Sequence, residues 1–307
     1  MKRALLLAGI LLPFIGFTQT PDSNRQSKLL TVAPRLGGIA LTDAVTPMRI
    51  NGAGSMVQQH ILDFGLPLYK DFTSAHPVFI KSGFRYENLI VPDLPALGSG
   101  AFQSFTIPLL ASYALSGTTN LTFIGLATVS SELKQSLSFN ELQFTAGLRI
   151  GFQPSKQLRY GVTLTYVNSY SGQLLVPIPD LDWTINHHLQ LSAVVPSRIS
   201  LKYKLTANQS LGLTSGYTAT TYGLADGKSK QYLSWQQFSG GLIYDLKLSG
   251  RWNINLVAGH SFMQRLETFD QQEKASFDNF SELNKRKPLY SDRQTSFVFQ
   301  AIITCQF

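Results

Sequence analysis

The chain closes on SFVFQAIITCQF, Ser296 to Phe307. Taken every second residue, the stretch separates into Phe297, Phe299, Ala301, Ile303, Cys305 and Phe307 on one side. On the other are Ser296, Val298, Gln300, Ile302, Thr304 and Gln306. Successive side chains of a strand point to opposite faces, so a period of two describes a strand with one apolar face and one mostly polar face. Which face is the inside decides the fold.

The same alternation recurs along the chain. Leu142, Phe144, Ala146, Leu148, Ile150 and Phe152 alternate with polar residues and glycines, and so do Leu158 to Tyr166, Ile199 to Leu205 and Trp252 to Ala258. Weaker versions cover residues 28–36, 57–69, 78–89, 102–115, 120–132, 210–222 and 232–248. No segment carries an apolar stripe of period 3.6, so the chain is all-β. A soluble sandwich alternates in the same way, with its apolar face inward. Strand length separates the two cases. Soluble strands average about five or six residues, whereas a membrane-crossing strand needs about ten, and many runs here are that long or longer. A sheet in lipid must close to pair its backbone. The expectation is a closed antiparallel transmembrane β-barrel with the apolar face outward and the polar face lining a lumen.

Short connections at 116–119, 154–156, 207–209 and 249–250, set against long ones at 37–56, 90–101, 170–186, 223–231 and 267–290, give about 12 strands with both ends periplasmic. In that count residues 170–198 form one long outer excursion, and His187–Val195 is not a crossing. The terminal Phe307, with Phe297 and Phe299 on the same face, resembles the C-terminal strand signal that outer-membrane barrels present to their assembly machinery.

At the other end, Met1-Lys2-Arg3 is followed by fourteen uncharged residues, Ala4 to Phe17, and small residues near Thr18. This is the pattern of a secretory signal peptide over 1–18, leaving 19–307 as the barrel. No Cys follows the expected cleavage point closely enough to carry a lipid anchor. Removing Lys2 and Arg3 from the formal charge of +8 leaves +6. Charged residues make up only 14%, and mean hydropathy is +0.02 because Ser, Thr, Gln, Asn and Gly stand where charges usually would. A single cysteine excludes an internal disulfide, and no run is long and apolar enough for a membrane helix. No Lys/Arg cluster or motif suggests nucleic acid. The expected partners are outer-membrane lipid, lipopolysaccharide and the barrel assembly machinery, around a monomer.

No cofactor is expected, and no catalytic or metal-binding residues are assigned. His260 and Ser261 are adjacent and therefore on opposite faces, which does not suit the same-face His and Ser of lipid-cleaving barrels. His187 and His188 diverge on a strand and lack a third ligand nearby. Asp180 and Asp182 in PIPDLDW read as solvated loop carboxylates. The positions expected to line the lumen are Lys81, Arg85, Glu87, Arg149, Arg159, Lys202, Lys204, Asp245 and Lys247, with cations in excess. This row has a first interpretation and an alternative. The first is a passive channel for small hydrophilic, anionic solutes. The other is a closed structural or binding barrel whose charges pair across the interior and which presents outer loops 170–198 and 267–290. An envelope-lipid-modifying enzyme is a distant third.

Residues 194–223, VVPSRISLKYKLTANQSLGLTSGYTATTYG, and 237–267, QFSGGLIYDLKLSGRWNINLVAGHSFMQRLE, resemble an uncharacterised family of Bacteroidota outer-membrane β-barrels. The resemblance implies a barrel in the bacterial outer membrane and brings no catalytic or ligand residues with it.

Overall fold

Alternating segments pair in sequence order around a single sheet in the computed structural model, and the last strand returns to the first. The structure describes residues 37–50, 53–94, 98–132, 142–224, 231–249, 251–274 and 286–306. The signal peptide, the strand expected over 28–36 and Phe307 lie outside the described residues. Among the described residues there is no helix.

The strands are β1 (Gly38–Ile50), β2 (Ala53–Asp71), β3 (Val78–Leu94), β4 (Gly98–Ala114), β5 (Thr119–Ser131), β6 (Leu142–Phe152) and β7 (Leu158–Ser169). Then follow β8 (Gly172–Thr184), β9 (Leu189–Val194), β10 (Arg198–Lys204), β11 (Gln209–Leu224), β12 (Gln231–Ser249), β13 (Trp252–Asp270) and β14 (Tyr290–Gln306). Each is antiparallel to its neighbours, and Gly38 sits opposite Gln306 where β1 meets β14. We call the end that carries Gly38 and Gln306 proximal and the other end distal.

Among the described residues there are fourteen strands, where the sequence suggested twelve. Residues 37–56 are not a long connection but β1, a two-residue link and the start of β2. Residues 170–198 are not an outer excursion: β8, β9 and the start of β10 are full members of the wall. The disguise of β8 is its pair of prolines, which cannot donate to a ladder. Here they cost no bond to β7. Thr184 N–H donates to Gln157 O on the β7 side, and backbone polarity alternates along a strand. Pro177 and Pro179 therefore aim their nitrogens the other way, toward β9. There β9 pairs with β8 over Asp180–Thr184, and Val195 N–H still donates to Pro179 O at 3.0 Å, so Pro179 lacks only the reciprocal donation at the end of that ladder and Pro177 lies beyond it.

The apolar face does point outward. Leu41, Phe64, Ile107, Leu148, Leu164, Leu213, Leu256 and Phe297 are all exposed, while Ser112, Asn120, Thr122, Arg149 and Thr163 are buried on the inner face. An apolar exterior around a polar interior inverts the arrangement of a soluble barrel.

The wall is uneven in height. The β9–β10 hairpin contributes strands of six and seven residues, whereas β12 and β13 each run nineteen. Above the hairpin, β11 bends across the gap and pairs in parallel with β5 at Gly223 and Ser131. Ser130 Oγ donates to Thr221 O at 2.6 Å, and Thr221 Oγ1 donates to Gln143 Oε1 at 2.8 Å, fixing that crossing. The distal part of the barrel is thus a narrower ring of β1–β5 and β11–β14. Its interior holds a continuous apolar cluster: Met48, Ile50, Val57, Leu89, Val91, Phe102, Tyr222, Leu224, Leu233, Trp235 and Leu266. None is more than 8% exposed.

Candidate functional site: the barrel interior

Inward positions follow from the register. Arg149 on β6 is directly opposite Thr163 on β7, and the next inward pair, Gly151 and Gly161, lies one step proximal. On β8, Asp180 is the partner of Gly161. The absence of side chains at Gly151 and Gly161 opens a cradle into which the Arg149 guanidinium folds. A Cβ at Gly161 would lie 2.6 Å from Arg149 Nη2 and 2.7 Å from Ile150 O. Arg149 Nε and Nη2 donate to the two oxygens of Asp180, both at 2.7 Å, and Nη1 donates to Asn120 Oδ1 at 3.3 Å. With Arg149 at 0% exposure, this is a buried bidentate ion pair.

Arg159, Lys202 and Arg85 show the same habit. Arg159 reaches Asp182 at 3.3 Å, and Gln190 donates to the second oxygen of that carboxylate. Lys202 Nζ lies 2.6 Å from Asp245 Oδ2, and Asp245 also accepts from Ser210 and Asn255. Arg85 lies 3.5 Å from Asp63 and 3.6 Å from Glu87. Glu87 is buried and accepts from Gln59 Nε2 at 2.7 Å and from Tyr222 Oη at 2.8 Å. Lys81 and Asp63 line a cavity of about 280 Å³, with Gly38, Ala40, Gly65 and Leu110 among its other walls. Lys204 and Lys247 are exposed near the proximal rim and have no acidic partner among the described residues.

The row expected from the sequence already held two of the acids, Glu87 and Asp245, but not Asp63, Asp180 or Asp182. Asp180 and Asp182 are not solvated loop carboxylates; they are the inward acids of β8 that neutralise Arg149 and Arg159. The usable signal was their spacing of two, alternating with Leu181 and Trp183. Asp63 went unassigned for lack of a cross-strand register. The distal apolar cluster was also missed, because Leu89, Val91, Leu233 and Trp235 share the inward parity of polar residues lower on the same strands.

The histidines do not converge. His260 faces outward between Phe262 and Phe297, with ring centroids 5.5 and 5.8 Å away, whereas Ser261 is buried inside and donates to Phe238 O and Met263 O. His188 stacks on Tyr203, and His76 on Tyr113, in proximal turns. Among the described residues no three His, Cys, Asp or Glu side chains gather as a metal site would require. Phe297 and Phe299 are exposed on the outer face of β14.

No curated protein matches the chain in sequence. Solved structures that align with it are themselves β-barrels of bacterial membranes. A FadL homologue from Pseudomonas aeruginosa is 11% identical, with 88% of this chain and 89% of that one covered and a TM-score of 0.40. The NanC porin is 8% identical, covering 88% and 100%, with a TM-score of 0.38. The translocator domain of the autotransporter NalP from Neisseria meningitidis is 11% identical, covering 93% of each chain, with a TM-score of 0.32. Residues 119–304, from the first residue of β5 into β14, match the model of a domain of unknown function, DUF6268, and since that match spans more than half of the chain, the protein belongs to this family.

Proposed function

We propose that the protein is a bacterial outer-membrane barrel closed to free solute passage along its axis, serving as a structural or ligand-presenting component of the envelope. The observation that carries this reading is the distal cluster. Phe102, Tyr222, Leu233, Trp235 and Leu266 are buried against one another from strands on different sides of the narrowed ring, and Gln237 Nε2 reaches Thr46 Oγ1 at 3.3 Å from β12 to β1. A hydrated pathway needs polar walls and room for water, and an apolar, close-packed interior supplies neither.

The ion pairs support the same conclusion. A passive anion channel would draw on unpaired cations, yet Arg85, Arg149, Arg159 and Lys202 each sit beside a carboxylate. The outer-membrane placement rests on the apolar exterior and on the export signal read in the sequence. It agrees with a Bacteroidota origin, which the resemblance of residues 194–223 and 237–267 suggests. No proximal connection exceeds six residues, while the longest ones, 132–141 and 271–289, are distal. In outer-membrane barrels short turns face the periplasm, which favours periplasmic ends for this chain.

Solute flux tests the proposal. Proteoliposomes carrying the folded protein should swell in small sugars or gluconate no faster than protein-free liposomes. Rapid swelling, with gluconate favoured over a cation of similar size, would restore the anion channel in its place.

A further inference from the structure

We propose that the outward faces of β13, β14 and β1, at the distal edge of the apolar band, form a binding surface for a lipid headgroup bearing two phosphates. The inference rests on the membrane placement above and adds a site and a ligand chemistry to it.

The band ends on three adjacent strands at Phe262, Phe297 and Pro47, and beyond each of them the outward face turns cationic. A register shift between Ser261 and Gln264 turns Gln264 inward and Arg265 outward. Arg265 then stands directly opposite Arg293 of β14. On β1, Arg49 is exposed, its N–H donates to Gln294 Oε1 at 2.8 Å, and its carbonyl accepts from Gln294 Nε2 at 3.3 Å. Those two bonds tie β1 to β14 at the height of Gln294, next to Arg293, beyond the backbone ladder that ends at Val45 and Phe299. Three guanidinium groups therefore lie in a row across three strands.

Directly opposed like charges destabilise a sheet unless an anion lies between them. Among the described residues one carboxylate stands at this row, and it is committed. Glu267 Oε1 accepts from Arg293 Nε at 3.0 Å, from Arg293 Nη2 at 2.8 Å and from Ser291 Oγ at 3.0 Å. The Glu267 side chain is 6% exposed, whereas that of Arg293 remains 58% exposed. Arg49 and Arg265 have no acidic partner among the described residues. Arg265 and Arg293 are one strand spacing of about 4.8 Å apart. The Gln294 side chain between β14 and β1 sets Arg49 farther out than a second ladder spacing, so Arg49 and Arg265 stand at least about 10 Å apart along the row. One phosphate cannot serve both; a headgroup with two phosphates can, and guanidinium forks suit phosphate oxygens. The position fits as well, because a lipid's phosphates lie just beyond its hydrocarbon, where aromatic girdles end.

The test is native mass spectrometry of the full-length folded protein in detergent, titrated with diphosphoryl lipid A, monophosphoryl lipid A or phosphatidylglycerol. Wild type should retain diphosphoryl lipid A at concentrations at least tenfold lower than either single-phosphate lipid. The triple variant R49Q/R265Q/R293Q should lose that preference, with R265Q alone, a change at an unpaired side chain, losing part of it. An electrophoretic heat shift verifies that each variant is folded. Equal retention of all three lipids by wild type, or an unchanged preference in the folded triple variant, would overturn the site. Failure of the wild-type protein to insert into lipid vesicles at all would instead overturn the membrane placement beneath it.

Discussion

Replacing Asp180 by Leu removes the carboxylate from the Arg149 cradle while leaving the guanidinium enclosed. Arg149 is fully buried and Asp180 nearly so, with two 2.7 Å bonds between them. At about 4 Å between charge centres and an effective dielectric of about 20, their attraction is about 4 kcal/mol. Breaking a buried pair by removing one partner costs about 3–5 kcal/mol, because the stranded charge cannot regain water. Asn120 Oδ1, at 3.3 Å, is a neutral acceptor and offsets little of that loss. Exchanging both members for apolar residues is a different matter and is often close to neutral. Asp180→Leu should therefore lower stability by about 4 kcal/mol, whereas Arg149→Met/Asp180→Leu should come back to within about 1–2 kcal/mol of wild type. The assay is urea unfolding of the barrel in lipid vesicles, followed by tryptophan fluorescence with the electrophoretic heat shift as a second probe. A single variant within about 1 kcal/mol of wild type, or a double variant as unstable as the sum of the two single ones, would refute the buried-charge reasoning.

Gly161→Ala places a methyl group against Ile150 O and the Arg149 guanidinium, and should cost about 1–3 kcal/mol in the same urea assay. Trp235→Ala removes a fully enclosed ring from the distal cluster and should cost about 3–5 kcal/mol, with transient currents appearing in planar bilayers as the packing loosens. Deleting Phe307 should lower the yield of assembled barrel in outer-membrane fractions while leaving in vitro refolding unchanged, which a heat-shift gel on both preparations checks.

Face assignment was legible from the sequence because it follows from parity alone. Phe297, Leu148 and Leu256 point out, and Arg149, Lys202 and Asp245 point in, as the alternation requires. Strand count was harder, since it depends on recognising every crossing, and Pro177 and Pro179 carry the local signature of a loop. Their place in a strand depends on both nitrogens facing away from the β7 ladder, toward the end of β9, a tertiary fact invisible in β8 itself. Charge pairing was out of reach for a related reason. Arg149 meets Asp180 across β7, thirty-one residues away in sequence, and only the register of two ladders brings them together. The distal closure was the least legible of all. It requires β11 to bend over a hairpin and join β5, and no periodicity records that event.

The most direct test of a barrel closed along its axis is single-channel recording of the refolded protein in a planar bilayer, with its fold verified by heat shift. The closed lumen predicts a silent membrane, and the charge reversal Lys202→Glu/Lys204→Glu should leave it silent. Stepwise, anion-selective currents from the folded wild type, lost or inverted in that reversal, would contradict the account and make the inward cations the walls of a pore.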